Sequence, residues 1–314
     1  IFEKHKSPGG MLNQGIPLFR LPRNIINKEI NQILDMGIKI YYGKNIKDSA
    51  EINSLTKTYD AVILALGTLK PNEIDKDFTK TTGVENGLDF LLRVNEFNDR
   101  YIGKNVVVIG GGYTSMDCAR TALRLGASSV KTYYRRENDD FIILPGELEE
   151  LINENGKMIF KARPKNLIKK NNKLVGIQLI KTKLVKINNK YRLIDIKDSD
   201  FRIKADHIIL AIGQKQHLNK NSKVNNKVFL AGDYATGATT LIDAISHAKN
   251  VSKKVDNFLM KRNLLHSHIN VEDVIATNRE LKMNYIPIQK MPVVDFNERD
   301  FKKHSSRNKR CPHK

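Results

Sequence analysis

The chain has 314 residues, 40% of them hydrophobic, and its 54 basic and 34 acidic residues give a formal net charge of +20. That length holds two ordinary domain cores, and no apolar run reaches the roughly 18–20 residues of a membrane span, so no membrane association is expected. Lysines are spread along the whole chain with many asparagines, while aromatic-interleaved basic clusters, zinc spacings and helix-turn-helix patterns are missing, so no nucleic-acid partner is expected either.

The opening IFEKHKSPGG is an apolar stub, a glutamate and a Pro-Gly-Gly turn, and reads as the end of a β-strand. In NIINKEINQILDMG the residues Ile25, Ile26, Ile30, Ile33 and Leu34 recur at helical spacing and Gly37 ends the helix. IKIYYGKNI reads as a short strand, and YDAVILALGT as a nearly continuous apolar strand of the kind found in a parallel sheet covered on both faces. GLDFLLRVNEF reads as a helix. The next stretch, KNVVVIGGGYTSMDCARTALRLGASSVKTYYRRE, gives strand, glycine turn, helix and strand, one βαβ unit. Residues 161–201 alternate apolar positions among Lys and Asn and predict antiparallel hairpins. ADHIILAIGQ and VFLAGD read as buried strands, the second leading through YATGATT into the helix TLIDAISHAKNVSKKVDNFLM. The basic run RDFKKHSSRNKR near the end reads as a solvated tail. Cys118 and Cys311 lie far apart and match no metal spacing, so no metal site and no disulfide framework are expected, and a reducing, cytoplasmic setting is.

Three segments carry chemistry. In VVVIGGGYTSMD, Gly110 and Gly112 take the first two positions of a glycine turn between strand and helix, and Ser115 takes the third. Such a turn lets backbone N–H groups and the positive helix end meet a pyrophosphate; the alternative is a merely structural turn. The following strand ends KTYYRRE, placing Arg135 and Arg136 where an acid would hold an NAD ribose, and a guanidinium pair suits a 2′-phosphate; the alternative is an exposed basic loop. In VFLAGDYATGATTLIDAI, Asp233 follows Gly232 at a strand end before a helix, where a carboxylate can bind a ribitol hydroxyl; the alternative is a helix cap.

Together these segments resemble the small (beta) subunit family of glutamate synthase, and with it the flavin and NADPH portion of dihydropyrimidine dehydrogenase. The resemblance runs over residues 1 to about 260 and rests on E-x(5)-GG-x(4)-GIP-x-FRLP, YDAVILALGT, GGGYTSMDCA, YYRR, ADHIILAIGQ and LAGDYATGATTLIDAI, in that order. It implies an α/β fold of two Rossmann-like dinucleotide-binding domains, the NADPH domain inserted into the FAD domain. The implied boundaries are 1–96 and 214–262 for the two parts of the FAD domain, 97–213 for the NADPH domain and 263–314 for a basic C-terminal extension. Implied FAD contacts fall on Glu3, Gly9, Gly10, Arg20, Ile46, Gly67, Gly232, Asp233, Thr239, Thr240 and Leu241. Implied NADPH contacts fall on Gly110, Gly111, Gly112, Tyr113, Thr114, Arg135, Arg136, Ala211, Ile212 and Gly213. Tyr113 stands where the family commonly has Asp, and a later arginine of the family is absent from DDFIILPGE.

On the same resemblance Glu3 ends the second strand of the FAD domain, so the first strand, glycine turn and helix are expected to be missing, together with an iron–sulfur domain. The implied activity is that of an oxidoreductase, a flavoprotein that moves hydride from NADPH to FAD and passes electrons to a partner domain or subunit of the glutamate synthase large-subunit type. Any iron–sulfur cluster would sit in a missing segment or in that partner. No catalytic acid or base is expected, because the cofactors carry the chemistry. The alternative is a truncated, non-catalytic nucleotide-binding fragment, or the same unit serving a dihydropyrimidine dehydrogenase.

Overall fold

The computed structural model describes residues 1–74, 76–137, 143, 146–171, 173–187, 190–215 and 225–261. The chain begins with β1 (Phe2–Glu3), α1 (Met11–Gln14), α2 (Arg23–Leu34), β2 (Tyr41–Tyr42), α3 (Ser49–Thr58) and β3 (Val62–Leu64). It continues with β4 (Lys70–Pro71), α4 (Lys76–Lys80), β5 (Val84–Asn86), α5 (Gly87–Phe97), β6 (Asn105–Ile109), α6 (Tyr113–Arg124) and β7 (Ser129–Tyr133). Next come α7 (Glu147–Asn153), β8 (Lys157–Ile159), β9 (Ala162–Lys170), β10 (Lys173–Ile187), β11 (Lys190–Asp195), β12 (Phe201–Lys204), β13 (His207–Leu210) and β14 (Gln214–Lys215). The last are β15 (Val228–Leu230), α8 (Asp233–Thr236) and α9 (Leu241–Met260). These form two compact units, one from residues 1–48 and 68–215, the other from residues 49–67 and 225–261. The basic C-terminal run, Cys311 and most of DDFIILPGE lie outside the described residues.

In the first unit five parallel strands pair in the order β5-β13-β6-β7-β8. The apolar run NVVVI explains the position of β6: Val106 and Val108 face a layer with Phe90, Met116, Ala119 and Leu151 from α5, α6 and α7. Val107 and Ile109 point the other way, with Ile208 and Leu210, toward Leu174, Ile177 and Leu179. Successive side chains of a strand alternate faces, so an unbroken apolar run is what a sheet covered on both sides requires. The second cover is the antiparallel group β9, β10 and β12, with β11 pairing the far end of β10. The hairpins expected between residues 161 and 201 are therefore present. Strand β5 has no counterpart among the elements expected from the sequence; three half-buried residues ending in Asn carry too little pattern to announce a strand.

In the second unit β3 and β15 pair in parallel, Val62 with Val228 and Leu64 with Leu230. The expectation that YDAVILALGT is covered on both faces needs correction: Val62 and Leu64 are buried, but Ile63 between them is 48% exposed. Strand β15, expected to be buried, is half-buried throughout. The two strands make a sheet of their own, and among the described residues no further strand pairs with it. Helix α9 begins with a capping box, in which the Thr240 side chain accepts from the Asp243 N–H and the Asp243 carboxylate accepts from the Thr240 N–H. Only Val251 of this helix is buried.

Candidate functional site

The C-terminal ends of β13, β6 and β7 lie side by side, and three of the sequence motifs end there. Gly110 leaves β6 with φ 151° and donates its N–H to Tyr133 O at 3.0 Å. A Cβ on it would stand 2.2 Å from Ala211 O, so the end of β13 runs too close for any other residue. Gly111 is crowded from the other side: a Cβ there would meet the Tyr134 ring at 2.3 Å. Gly112 caps α6 in extended conformation with open space before it, while Ser115 is buried and its Oγ donates to Gly112 O at 2.6 Å. The first turn of α6 holds no acidic residue, Ser115 N–H donates to Gly112 O at 3.0 Å, and the helix start carries the positive end of its dipole.

Ala211 extends β13 by donating to Ile109 O at 2.8 Å. Asn72 secures the next two residues, donating its side-chain amide to Ile212 O at 3.3 Å and its N–H to Gly213 O at 3.0 Å. Arg135 and Arg136 are exposed, and neither guanidinium has an ion pair among the described residues. Their backbone is fixed, since Thr182 Oγ1 donates to Arg135 O at 2.6 Å and Lys161 N–H to Arg136 O at 3.1 Å. Gly110 to Thr114, Arg135, Arg136 and Ala211 to Gly213 thus meet at one sheet edge. A dinucleotide fits what is there: close-approach glycines, a positive helix start and two exposed cations with no ion pair among the described residues.

Arg20 sits differently from a simple ligand contact. It donates to Glu147 Oε1 at 2.7 Å and forms an ion pair with Asp117, on the same helix as the glycine turn. Burial alone would lower Arg20, but the Glu147 hydrogen bond and the charges of Asp117 and Glu147 outweigh it and hold the guanidinium above its usual value. Burial pushes the Asp117 carboxyl up to about 6, with Arg20 pulling the other way. Beside them Arg120 donates to Glu154 at 2.7 Å and pairs with Glu150, and Arg124 donates to Glu154 at 2.6 Å. Phe19, fully buried, lies under both guanidiniums, 4.7 Å from Arg120 and 4.2 Å from Arg124. The sequence reading missed this cluster. Its one signal was the charge stripe Asp117, Arg120, Arg124 at helical spacing along an otherwise buried helix.

The other residues assigned to flavin divide between the units. In the first, Glu3 accepts from His5 N–H at 2.8 Å at the end of β1, Gly9 and Gly10 have φ 106° and 49°, and Ile46 is half-buried. In the second, Gly67 and Gly232 have φ 65° and 60°, and Gly232 donates its N–H to His247 Nδ1 at 3.1 Å. Asp233 caps neither helix: Gly232 precedes α8 and Thr240 caps α9. Its carboxylate instead accepts from Thr239 Oγ1 at 2.6 Å. Leu241 is 47% exposed.

Residues 14–154 match the pyridine nucleotide-disulphide oxidoreductase family. The chain is 27% identical over 300 residues to a glutamate synthase [NADPH] small chain of Escherichia coli, covering 82% of this chain and 63% of that protein. It is 29% identical over 286 residues to the beta subunit of an NADP(+)-dependent formate dehydrogenase of Moorella thermoacetica, covering 82% of this chain and 40% of that protein. The chain therefore spans roughly half the length of these curated relatives. Among solved structures, FprA of Mycobacterium tuberculosis in complex with NADPH superposes with a TM-score of 0.70 at 16% identity, over 83% of this chain and 77% of that one. The fold is that of the pyridine nucleotide-disulphide oxidoreductases. Thiol chemistry is another matter: Cys118 is fully buried, and burial pushes its thiol well above the ordinary value. A thiol held neutral and shielded in this way is no redox partner.

Proposed function

Taking as premise that this chain is a homologue of the glutamate synthase small chains, we propose that it is an NADPH-dependent flavoprotein unit that feeds electrons to a partner. When bound, the two cofactors supply the chemistry, a hydride passing from the nicotinamide to the flavin. The chain's part is binding and orientation. The glycine turn and the start of α6 receive the pyrophosphate, Arg135 and Arg136 receive the 2′-phosphate, and Ala211 to Gly213 border the nicotinamide half. Glu3, Gly9, Gly10, Arg20, Ile46, Gly67, Gly232, Asp233 and Thr239 to Leu241 form the FAD contacts on this reading. Residues 97–213 serve as the NADPH domain, and 1–96 with 214–262 as the FAD domain.

The observation that carries the proposal is the pair of exposed guanidiniums at the end of β7, one strand from an open glycine turn. The small chain of glutamate synthase and the beta subunit of formate dehydrogenase both belong to larger assemblies by name, which supports an electron-accepting partner subunit or domain here. Replacing Arg135 and Arg136 with alanine is expected to weaken NADPH binding by about 2–4 kcal/mol, from about 1.5–3 for each charged hydrogen bond with incomplete additivity. NADH binding should change little. Calorimetric titration of the full chain with both nucleotides decides it, and equal losses for the two would remove the assignment.

A further inference from the structure

Resting on the NADPH reading above, we infer that Lys161 is a third cation of the 2′-phosphate subsite and that Glu137 is its resident counterion, displaced when the phosphate binds. Lys161 follows β8, the strand next to β7, and its Nζ lies 2.7 Å from Glu137 Oε1 with both side chains about half exposed. An isolated surface pair of this kind would carry little meaning. The backbone gives it one. Lys161 has φ 58°, a left-handed conformation that residues with a Cβ rarely adopt. It is held there from two sides, its N–H donating to Arg136 O at 3.1 Å and its carbonyl accepting from Thr182 N–H at 2.8 Å. The same Thr182 binds Arg135 O through its hydroxyl. One residue of β10 and one strained lysine thus fix the peptide groups of both arginines and bring a third cation to the same strand end.

The charges then make a selector. Among the described residues, the four side chains Arg135, Arg136, Lys161 and Glu137 carry a net charge of about +2, matching a phosphate monoester of about −1.5 to −2 at neutral pH. A 2′-phosphate arriving at the arginines takes over Lys161 and releases Glu137 to water. A 2′-hydroxyl offers no such exchange, and can instead donate to the Glu137 carboxylate. Lys161 therefore favours NADPH, while Glu137 works against it.

Dissociation constants of the full chain for NADPH and NADH, at one fixed ionic strength, test this with three variants. Lys161→Asn removes the charge with a residue that tolerates the left-handed backbone, and should weaken NADPH about 3- to 10-fold while NADH moves less than about 2-fold. Glu137→Gln should tighten NADPH about 2- to 5-fold and leave NADH unchanged or weaker. Lys161→Arg should restore the preference lost in Lys161→Asn, which a purely structural role of the side chain would not require. If Lys161→Asn and Glu137→Gln leave the NADPH-to-NADH ratio as it was while alanine at Arg135 and Arg136 collapses it, this inference fails and the NADPH reading stands. If alanine at the arginines does not change the ratio either, the NADPH reading fails with it.

Discussion

Asp117 shows how a single residue links the glycine turn to the rest of the chain. Its carboxyl titrates at about 6 in the folded protein, against roughly 3.9 for an unfolded chain, so the folded state holds the proton more tightly. Between those values the unfolded state releases its proton first, so stability falls as pH rises from about 4 to about 6. The groups in contact or close enough to tune it are Arg20, Glu147 and Arg120. Urea unfolding at a series of pH values should therefore show wild type losing stability relative to Asp117→Asn across that window; parallel curves would mean the carboxyl is not buried as described. Part of the local geometry around the proposed site could be read in advance. Gly110, Gly112, Ser115, Arg135 and Arg136 belong to motifs whose meaning lies within a few positions of one another. Tyr134, Lys161 and Asn72 could not be read so, because each acquires its role from a strand or segment that returns from elsewhere. Arg20 meets Glu147 across 127 positions of sequence, and no local pattern records that.

Elements with strong periodicity were legible and weak ones were not. The runs VVVI and HIIL announced β6 and β13 because both faces of a parallel strand must be apolar. The same rule misled at YDAVILALGT, where a two-stranded pairing leaves Ile63 exposed, and it was silent at the three-residue β5. Two truncations separate the cases. Ile208→Ala, fully buried between the parallel sheet and its antiparallel cover, should cost about 2–5 kcal/mol in thermal or urea unfolding. Ile63→Ala should cost no more than about 0.5–1 kcal/mol, as a half-exposed side chain loses little burial. A large loss at Ile63 would mean that this side chain is covered in solution.

At the scale of the whole molecule, the order of motifs along the chain carried the family resemblance, and it was the resemblance that implied two dinucleotide-binding folds. How the flavin residues divide was not readable, because Gly67 and Gly232 belong to one compact unit and Glu3, Gly9 and Arg20 to the other. The +20 charge, spread along the chain, bears on the same chemistry by favouring approach of an anionic dinucleotide, an effect that salt will screen. The most direct test of hydride input is an anaerobic titration of the FAD-loaded holoprotein, following the oxidised flavin absorbance as NADPH is added. Loss of that absorbance with about one equivalent of NADPH, and a much weaker response to NADH, is the expected result. Bound flavin that stays oxidised at saturating NADPH would contradict it.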